Sequence, residues 1–187
     1  MNGVPYLFLR VIWTAHRVAF PLHITGFNIK EVQVSPEPAA PFGRKGLVLA
    51  SAWKQLAKPD TAGVLLLDGD VLVDPHDVMM MLVALTKDPD AVHIGPAKLW
   101  PVTMGDAPGW VWGHCRNAEW SQVMTTNPDF FAFNFTYIPR RVVELAIAKG
   151  LRTKVFPEVD RHVSRMAREA GIRMHVVEDC HPKHMHY

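Results

Sequence analysis

Cysteine is scarce in this chain. Cys115 and Cys180, the only two in 187 residues, form neither a disulfide framework nor a C-x-x-C pair. That scarcity excludes a small disulfide-stapled scaffold and makes a reducing cytoplasm the expected home. Long hydrophobic runs are missing too, and no stretch reaches the roughly 20 apolar residues of a membrane helix. Near the start, Leu7-Phe8-Leu9 is cut by Arg10 with no small-residue cleavage pattern, so no signal peptide is expected. Charge of one sign is absent: 20 Lys and Arg against 18 Asp and Glu leave a net +2, too little to point to nucleic acid. There are no repeats and no low-complexity tracts. What is there is an ordinary globular composition, 49% hydrophobic and 20% charged. The length suits one domain that buries its core without staples.

Patterning along the chain alternates strands and helices. Tyr6 to Thr14 and Asn28 to Val34 read as strands, and Pro36, Pro38 and Pro41 then hold an extended loop. Gly46 to Lys58 predicts a helix with Leu47, Ala50 and Leu56 on one side. Gly63 to Leu67 predicts a strand buried on both faces. Asp74 is set as the N-cap of a helix over His76 to Thr86, with Pro75 in its first turn. Val92 to Gly95 is a further short strand. Residues 100–128 hold four of the six tryptophans and three prolines, and read as a long functional loop. Phe130 to Ile138 is an aromatic-rich strand, and Pro139 starts a helix to Lys149 closed by Gly150. Pro157 starts a longer helix closed by Gly171; Ile172 to Val177 is a last strand before the tail Cys180 to Tyr187. The alternation predicts an α/β fold with a largely parallel, mixed central sheet flanked by helices.

One stretch carries the chemistry. Val64-Leu65-Leu66-Leu67 stops at Asp68-Gly69-Asp70. Ligands of open α/β sheets bind beyond the carboxyl ends of the strands. Two carboxylates there suit a divalent cation on a phosphate-bearing substrate. Asp and Gly also favour plain turns, which is the bland reading of the same residues. Ten histidines are many, and four of them, His175, His181, His184 and His186, fall in the last thirteen residues.

The pattern resembles the GT-A type of glycosyltransferase, specifically the family 2-like members. In that family a small-residue-rich helix precedes a strand ending in D-x-D, and an acidic segment, a helix ending R-A-x-x-x-G, a strand and a histidine follow. Here Arg44-Lys45-Gly46 to Ala52 occupies the first helix and Asp68-Gly69-Asp70 the D-x-D. Pro157-Glu158-Val159-Asp160 supplies the acidic segment, and Arg165-Met166-Ala167-Arg168-Glu169-Ala170-Gly171 the helix end. His184 stands thirteen residues past that glycine, where the family's third metal ligand lies. The match covers roughly residues 44–187. It departs at the acidic site: Asp160 takes the aspartate place, but Val159 stands where inverting members carry glutamate, with Glu158 one residue away.

The resemblance implies a single GT-A domain over 1–187, with 1–99 the nucleotide-sugar-binding half and 100–187 the acceptor and metal half. It looks like a minimal catalytic core of the kind found in bacteria and their phages. It implies a metal-dependent transfer of sugar from a UDP- or GDP-sugar to an acceptor hydroxyl, inverting, with Asp160 as base. The metal is Mn²⁺ or Mg²⁺, and imidazole in the ligand set tilts the choice toward Mn²⁺. Asp70 and His184 are expected as ligands, with His186 a further candidate; Asp68 contacts the metal, its water or the ribose. Arg44 and Lys45 are placed to approach the diphosphate, and His16 and Arg17 follow the first strand near the nucleotide. Trp110 and Trp112 suit stacking on sugar or base, or equally the packing of a lid. The acceptor, with Glu158 near it, is left open among small molecule, glycan, protein and modified DNA.

Two other classes share parts of the pattern. A haloacid-dehalogenase-type phosphatase also has an apolar strand followed by D-x-D, with Asp68 as nucleophile and Asp70 as acid–base. That motif normally opens a chain and carries glycine where Val71 stands. A nucleotide-sugar binder or nucleotidyltransferase is the third class, but Thr14-Ala15-His16-Arg17 lacks the glycine-rich loop the latter needs.

Overall fold

A computed structural model of the chain describes residues 6–13, 30–34, 45–69, 71–96, 98–100, 103–104, 107–108, 115–116, 130–131, 133–154 and 158–185. In chain order the elements are β1 (Tyr6–Trp13), β2 (Lys30–Val34), α1 (Lys45–Leu56), β3 (Gly63–Asp68), β4 (Val71–Leu72), α2 (Pro75–Lys87) and β5 (Val92–Ile94). There follow β6 (Lys98–Trp100), β7 (Thr103–Met104), β8 (Ala107–Pro108), β9 (Cys115–Arg116), β10 (Phe130–Phe131) and β11 (Phe135–Pro139). Then come α3 (Arg140–Ala148), a 3₁₀ turn (Leu151–Thr153), α4 (Glu158–Glu169), β12 (Met174–Val176) and β13 (Lys183–Met185).

The main sheet has six strands in the order β12-β5-β11-β3-β1-β2. Only β11 runs against the others, pairing antiparallel with both β3 and β5. Five carboxyl ends therefore share one edge, and β3 ends there in Asp68. The expected mixed, mostly parallel sheet is what forms. It is one continuous sheet: β5 lies between β11 and β12, so residues before and after position 100 interleave.

Every residue of β3 is buried, as its apolar run requires. Val64 and Leu66 face one core with α1, α3 and α4, through Leu49, Trp53, Val142, Ala146, Val163 and Met166. Leu65 and Leu67 face the other with Phe135 and Tyr137, and with Val78, Met81 and Leu85 of α2. Burying each such large apolar side chain contributes about 1.5–3 kcal/mol. β3 is thus fixed from both sides, and so is the position of the carboxylate at its end.

The helix boundaries follow from local chemistry. Asp74 Oδ1 accepts the Asp77 N–H at 2.9 Å and Asp77 Oδ2 accepts the Asp74 N–H at 3.0 Å, a reciprocal capping box with Pro75 in the first turn. Gly150 and Gly171 close α3 and α4 at φ 91° and 66°, where a side chain would be strained.

Three expectations need correction. The buried stripe of α1 is Gly46, Leu49, Ala50 and Trp53, an i, i+3, i+4, i+7 set, and Leu47 is only half-buried. The strand expected over Phe130 to Ile138 is two strands, broken at Phe133-Asn134; β10 pairs with β9 and β11 joins the main sheet. The Asn134 carbonyl accepts the Asp68 N–H at 2.9 Å, in register with the β3–β11 ladder. The tail contains a strand: β13 pairs antiparallel with β4 and parallel with β6.

Candidate functional site

At the carboxyl edge of β3 a lysine lies between two aspartates. Lys45 opens α1, Asp68 closes β3 and Asp160 lies in the first turn of α4. Lys45 Nζ is 3.0 Å from Asp68 Oδ2 and 3.9 Å from Asp160 Oδ1. All three side chains are buried: Lys45 is 8% exposed, Asp68 7% and Asp160 5%. The ammonium also sits over the Phe133 ring, 5.0 Å from its centroid, so the break between β10 and β11 supplies the floor of the site.

Each group is held by its element. Gly46 lets α1 pass against the 3₁₀ turn, since a Cβ there would overlap the Leu151 carbonyl oxygen. Asp160 is fixed through its backbone: Ser164 Oγ donates to the Asp160 carbonyl at 2.8 Å and accepts the Phe131 N–H at 3.1 Å. The Asp160 carboxylate takes a hydrogen bond from the Phe133 backbone, while its Oδ1 makes none among the described residues.

Two opposing effects act on Asp160. A position in the first turn of a helix by itself lowers a carboxylate pKa. Burial instead pushes that of Asp160 up to about 6, and the nearby Asp68 adds to the rise. Lys45 and the Phe133 N–H pull the other way without cancelling it. Loss of water around a carboxylate outweighs a half-charge dipole and one cation at 3.9 Å.

Of the residues singled out in the sequence, Lys45, Asp68 and Asp160 are brought together. The Lys45 ammonium, expected at a diphosphate, is engaged with the two carboxylates. Glu158 lies apart from them, half-exposed and paired with Arg161 at 3.5 Å across one turn. Asp70, His186, His16, Arg17, Arg44, Trp110 and Trp112 lie outside the described residues. His184 is placed by strand register: it lies opposite Val71, the neighbour of Asp70, on β4 and opposite Leu99 on β6. The ladder therefore sets the backbone of His184 beside the chain that leaves the D-x-D.

Among the described residues no three His, Cys, Asp or Glu side chains are grouped to hold a metal. Asp70 and the side chain of His184, the expected ligands, lie outside what is described. Asp68 fits direct ligation less well, because one oxygen already lies against an ammonium.

Sequence reasoning missed Asn134 and Phe133. Asn134 is 4% exposed, its carbonyl fixes Asp68, and its Nδ2 is buried without a hydrogen-bond partner. No sequence pattern marks them beyond their place inside an aromatic strand.

No helix among the described residues is long and apolar enough to cross a membrane. No protein-family model matches the chain, and no curated protein matches it significantly. Among solved structures it is similar to A197 from STIV, with 14% identity and a TM-score of 0.51 over 91% of this chain and 81% of that one. It is also similar to a glycosyltransferase involved in the glycosylation of the major capsid of PBCV-1, with 16% identity and a TM-score of 0.46 over 96% of this chain and 93% of that one. The likeness is one of fold: the chain shares the mixed α/β architecture of A197.

Proposed function

We propose that this protein is a metal-dependent glycosyltransferase that moves a sugar from a UDP- or GDP-sugar to an acceptor hydroxyl with inversion. One observation carries the reading: the first aspartate of the D-x-D and the aspartate of the acidic helix start, far apart in sequence, meet on Lys45 at the carboxyl edge of the sheet. Asp160 is the base. With a pKa of about 6 it is ionised at neutral pH yet close enough to working pH to take a proton in the transition state. The acceptor oxygen bonds to the anomeric carbon as the carbon–phosphate oxygen bond breaks, and the acceptor proton passes to the Asp160 carboxylate. Lys45 keeps that carboxylate ionised and fixes Asp68 beside it. Asp70 and His184 are the residues that would hold Mn²⁺ or Mg²⁺, with His186 a further candidate. The cation would supply Lewis-acid stabilisation of the leaving diphosphate.

The phosphatase reading takes Asp68 as nucleophile, but its motif normally opens a chain and carries glycine where Val71 stands, whereas Asp68 lies a third of the way along this one. A calorimetric titration of UDP and GDP, with and without Mn²⁺, tests the proposal. Wild type is expected to bind one nucleotide in a Mn²⁺-dependent way, and Asp70→Ala to lose that dependence while melting as wild type does. Unchanged affinity in Asp70→Ala removes the metal role. Hydrolysis of generic phosphate esters with no sugar-nucleotide turnover would favour the phosphatase.

A further inference from the structure

We infer that Asp77 is a positioning residue that clasps the C-terminal strand, and with it His184, beside the D-x-D; its link to the metal rests on the glycosyltransferase reading. A capping-box acid on an exposed first turn uses one oxygen on the cap. Asp77 uses both. Its Oδ2 accepts the Asp74 N–H at 3.0 Å, and its Oδ1 accepts the N–H of His181, over a hundred residues away in sequence, at 2.6 Å. Next to it, Cys180 Sγ donates to the Asp77 carbonyl at 3.6 Å. The Asp77 side chain is 4% exposed and Cys180 is fully buried. A carboxylate this deep is stable only with such donors, and the start of α2 adds its dipole.

The location gives the clasp its use. β4 leaves the D-x-D and runs into the Asp74 cap, and β13 begins two residues past His181. The β4–β13 ladder has only two residue pairs, Leu72 with Lys183 and Val71 with His184. So short a ladder does not set the β4 register by itself, and the three further pairs of β13 tie it to β6, not to β4. The Asp77–His181 bond closes the same loop from the other end, so that D-x-D, β4, α2 and β13 form one fastened unit. Asp77 touches no substrate in this account; it acts through the placement of His184.

The test separates clasping from capping. Asp74→Ala removes the acceptor for the Asp77 N–H and leaves the His181 bond; Asp77→Ala removes the acceptor for the Asp74 and His181 N–H groups and leaves the bond to Asp74 Oδ1. Both are expected to melt below wild type. In metal-free hydrogen exchange, the Lys183–Met185 amides are expected to exchange about tenfold faster in Asp77→Ala, as loss of one charge-assisted hydrogen bond implies, and little faster in Asp74→Ala. The Mn²⁺-dependent part of nucleotide affinity is expected to fall about tenfold in Asp77→Ala only. Equal β13 exchange in the two variants, or equal Mn²⁺ dependence, overturns the inference. If Asp77→Ala does not fold, His181→Pro decides, since it deletes the same bond and leaves the capping box intact. A wild type that binds neither UDP nor GDP with Mn²⁺ overturns the glycosyltransferase reading, while the exchange comparison still decides the clasp.

Discussion

Replacing Asp160 with asparagine keeps the side chain's shape and removes its charge. In the folded chain this carboxyl titrates at about 6 against an ordinary 3.8, because burial disfavours the ionised form. The folded state therefore holds the Asp160 proton more tightly than the unfolded chain does. That contribution to stability is whole below about pH 4 and is lost as pH rises through 6. At pH 8 the ionised, buried group costs on the order of 3 kcal/mol relative to pH 4. The asparagine has no such cost, and Lys45 keeps Asp68 as its partner at 3.0 Å. Urea denaturation at pH 8 is then expected to find Asp160→Asn more stable than wild type by on the order of 3 kcal/mol. In Tm this is about 2–4 °C per kcal/mol for a chain of this size. The advantage is expected to close as the pH approaches 4. Sugar-nucleotide turnover is expected to fall about 10²–10⁴-fold, the range for loss of a general base. A stability difference that is the same at pH 4 and pH 8, or a wild type that is the more stable at pH 8, refutes the reasoning. Turnover that survives the substitution refutes the base.

Lys45→Met leaves two buried carboxylates without their shared cation, and is expected to cost about 3–5 kcal/mol at pH 8. Part of the loss is expected to return at pH 5, where Asp160 takes a proton; urea melts at the two pH values check both statements. Gly46→Ala sets a methyl group onto the Leu151 carbonyl, and α1 must shift from the 3₁₀ turn to admit it. A loss of about 1–3 kcal/mol is expected by calorimetry, and an unchanged Tm would show that the contact yields.

How much of this was legible in the sequence depended on whether neighbours in the chain carried the signal. The apolar run into Asp68 announced a doubly buried strand, and β3 is one. Asp74-Pro75 and Gly171 marked helix ends through local backbone chemistry, and the ends lie there. The order of D-x-D, acidic helix and histidine pointed to the architecture that forms. What failed was long-range. Phe130 to Ile138 has uniform β propensity, and nothing in it shows that its two ends take different partners, β10 with β9 and β11 with β3 and β5. Lys183-His184-Met185 shows no alternation, and becomes a strand because β4 and β6 offer it edges on both sides. Lys45 beside Arg44 reads as a basic pair for an anion; its burial between carboxylates depends on Phe133, Asp68 and Asp160 arriving from three other elements.

That burial is itself an argument for a working site. One ammonium and one carboxylate at 3.0 Å already make a neutral buried pair, Lys45 with Asp68. A structural role ends there, and a hydrophobic residue at position 160 would fill the same buried space beside Phe133 with no charge to bury. The chain instead places a second carboxylate 3.9 Å from the same ammonium, and among the described residues its Oδ1 has no hydrogen bond. Leaving a buried polar atom unsatisfied costs about 1–3 kcal/mol, and the ionised form costs more. A fold under selection for stability alone removes such a group by a single substitution. A group that must take a proton near neutral pH needs both features: a raised affinity for the proton, and an oxygen free of other donors to receive it. The same two features that make Asp160→Asn stabilising make Asp160 fit to be a base.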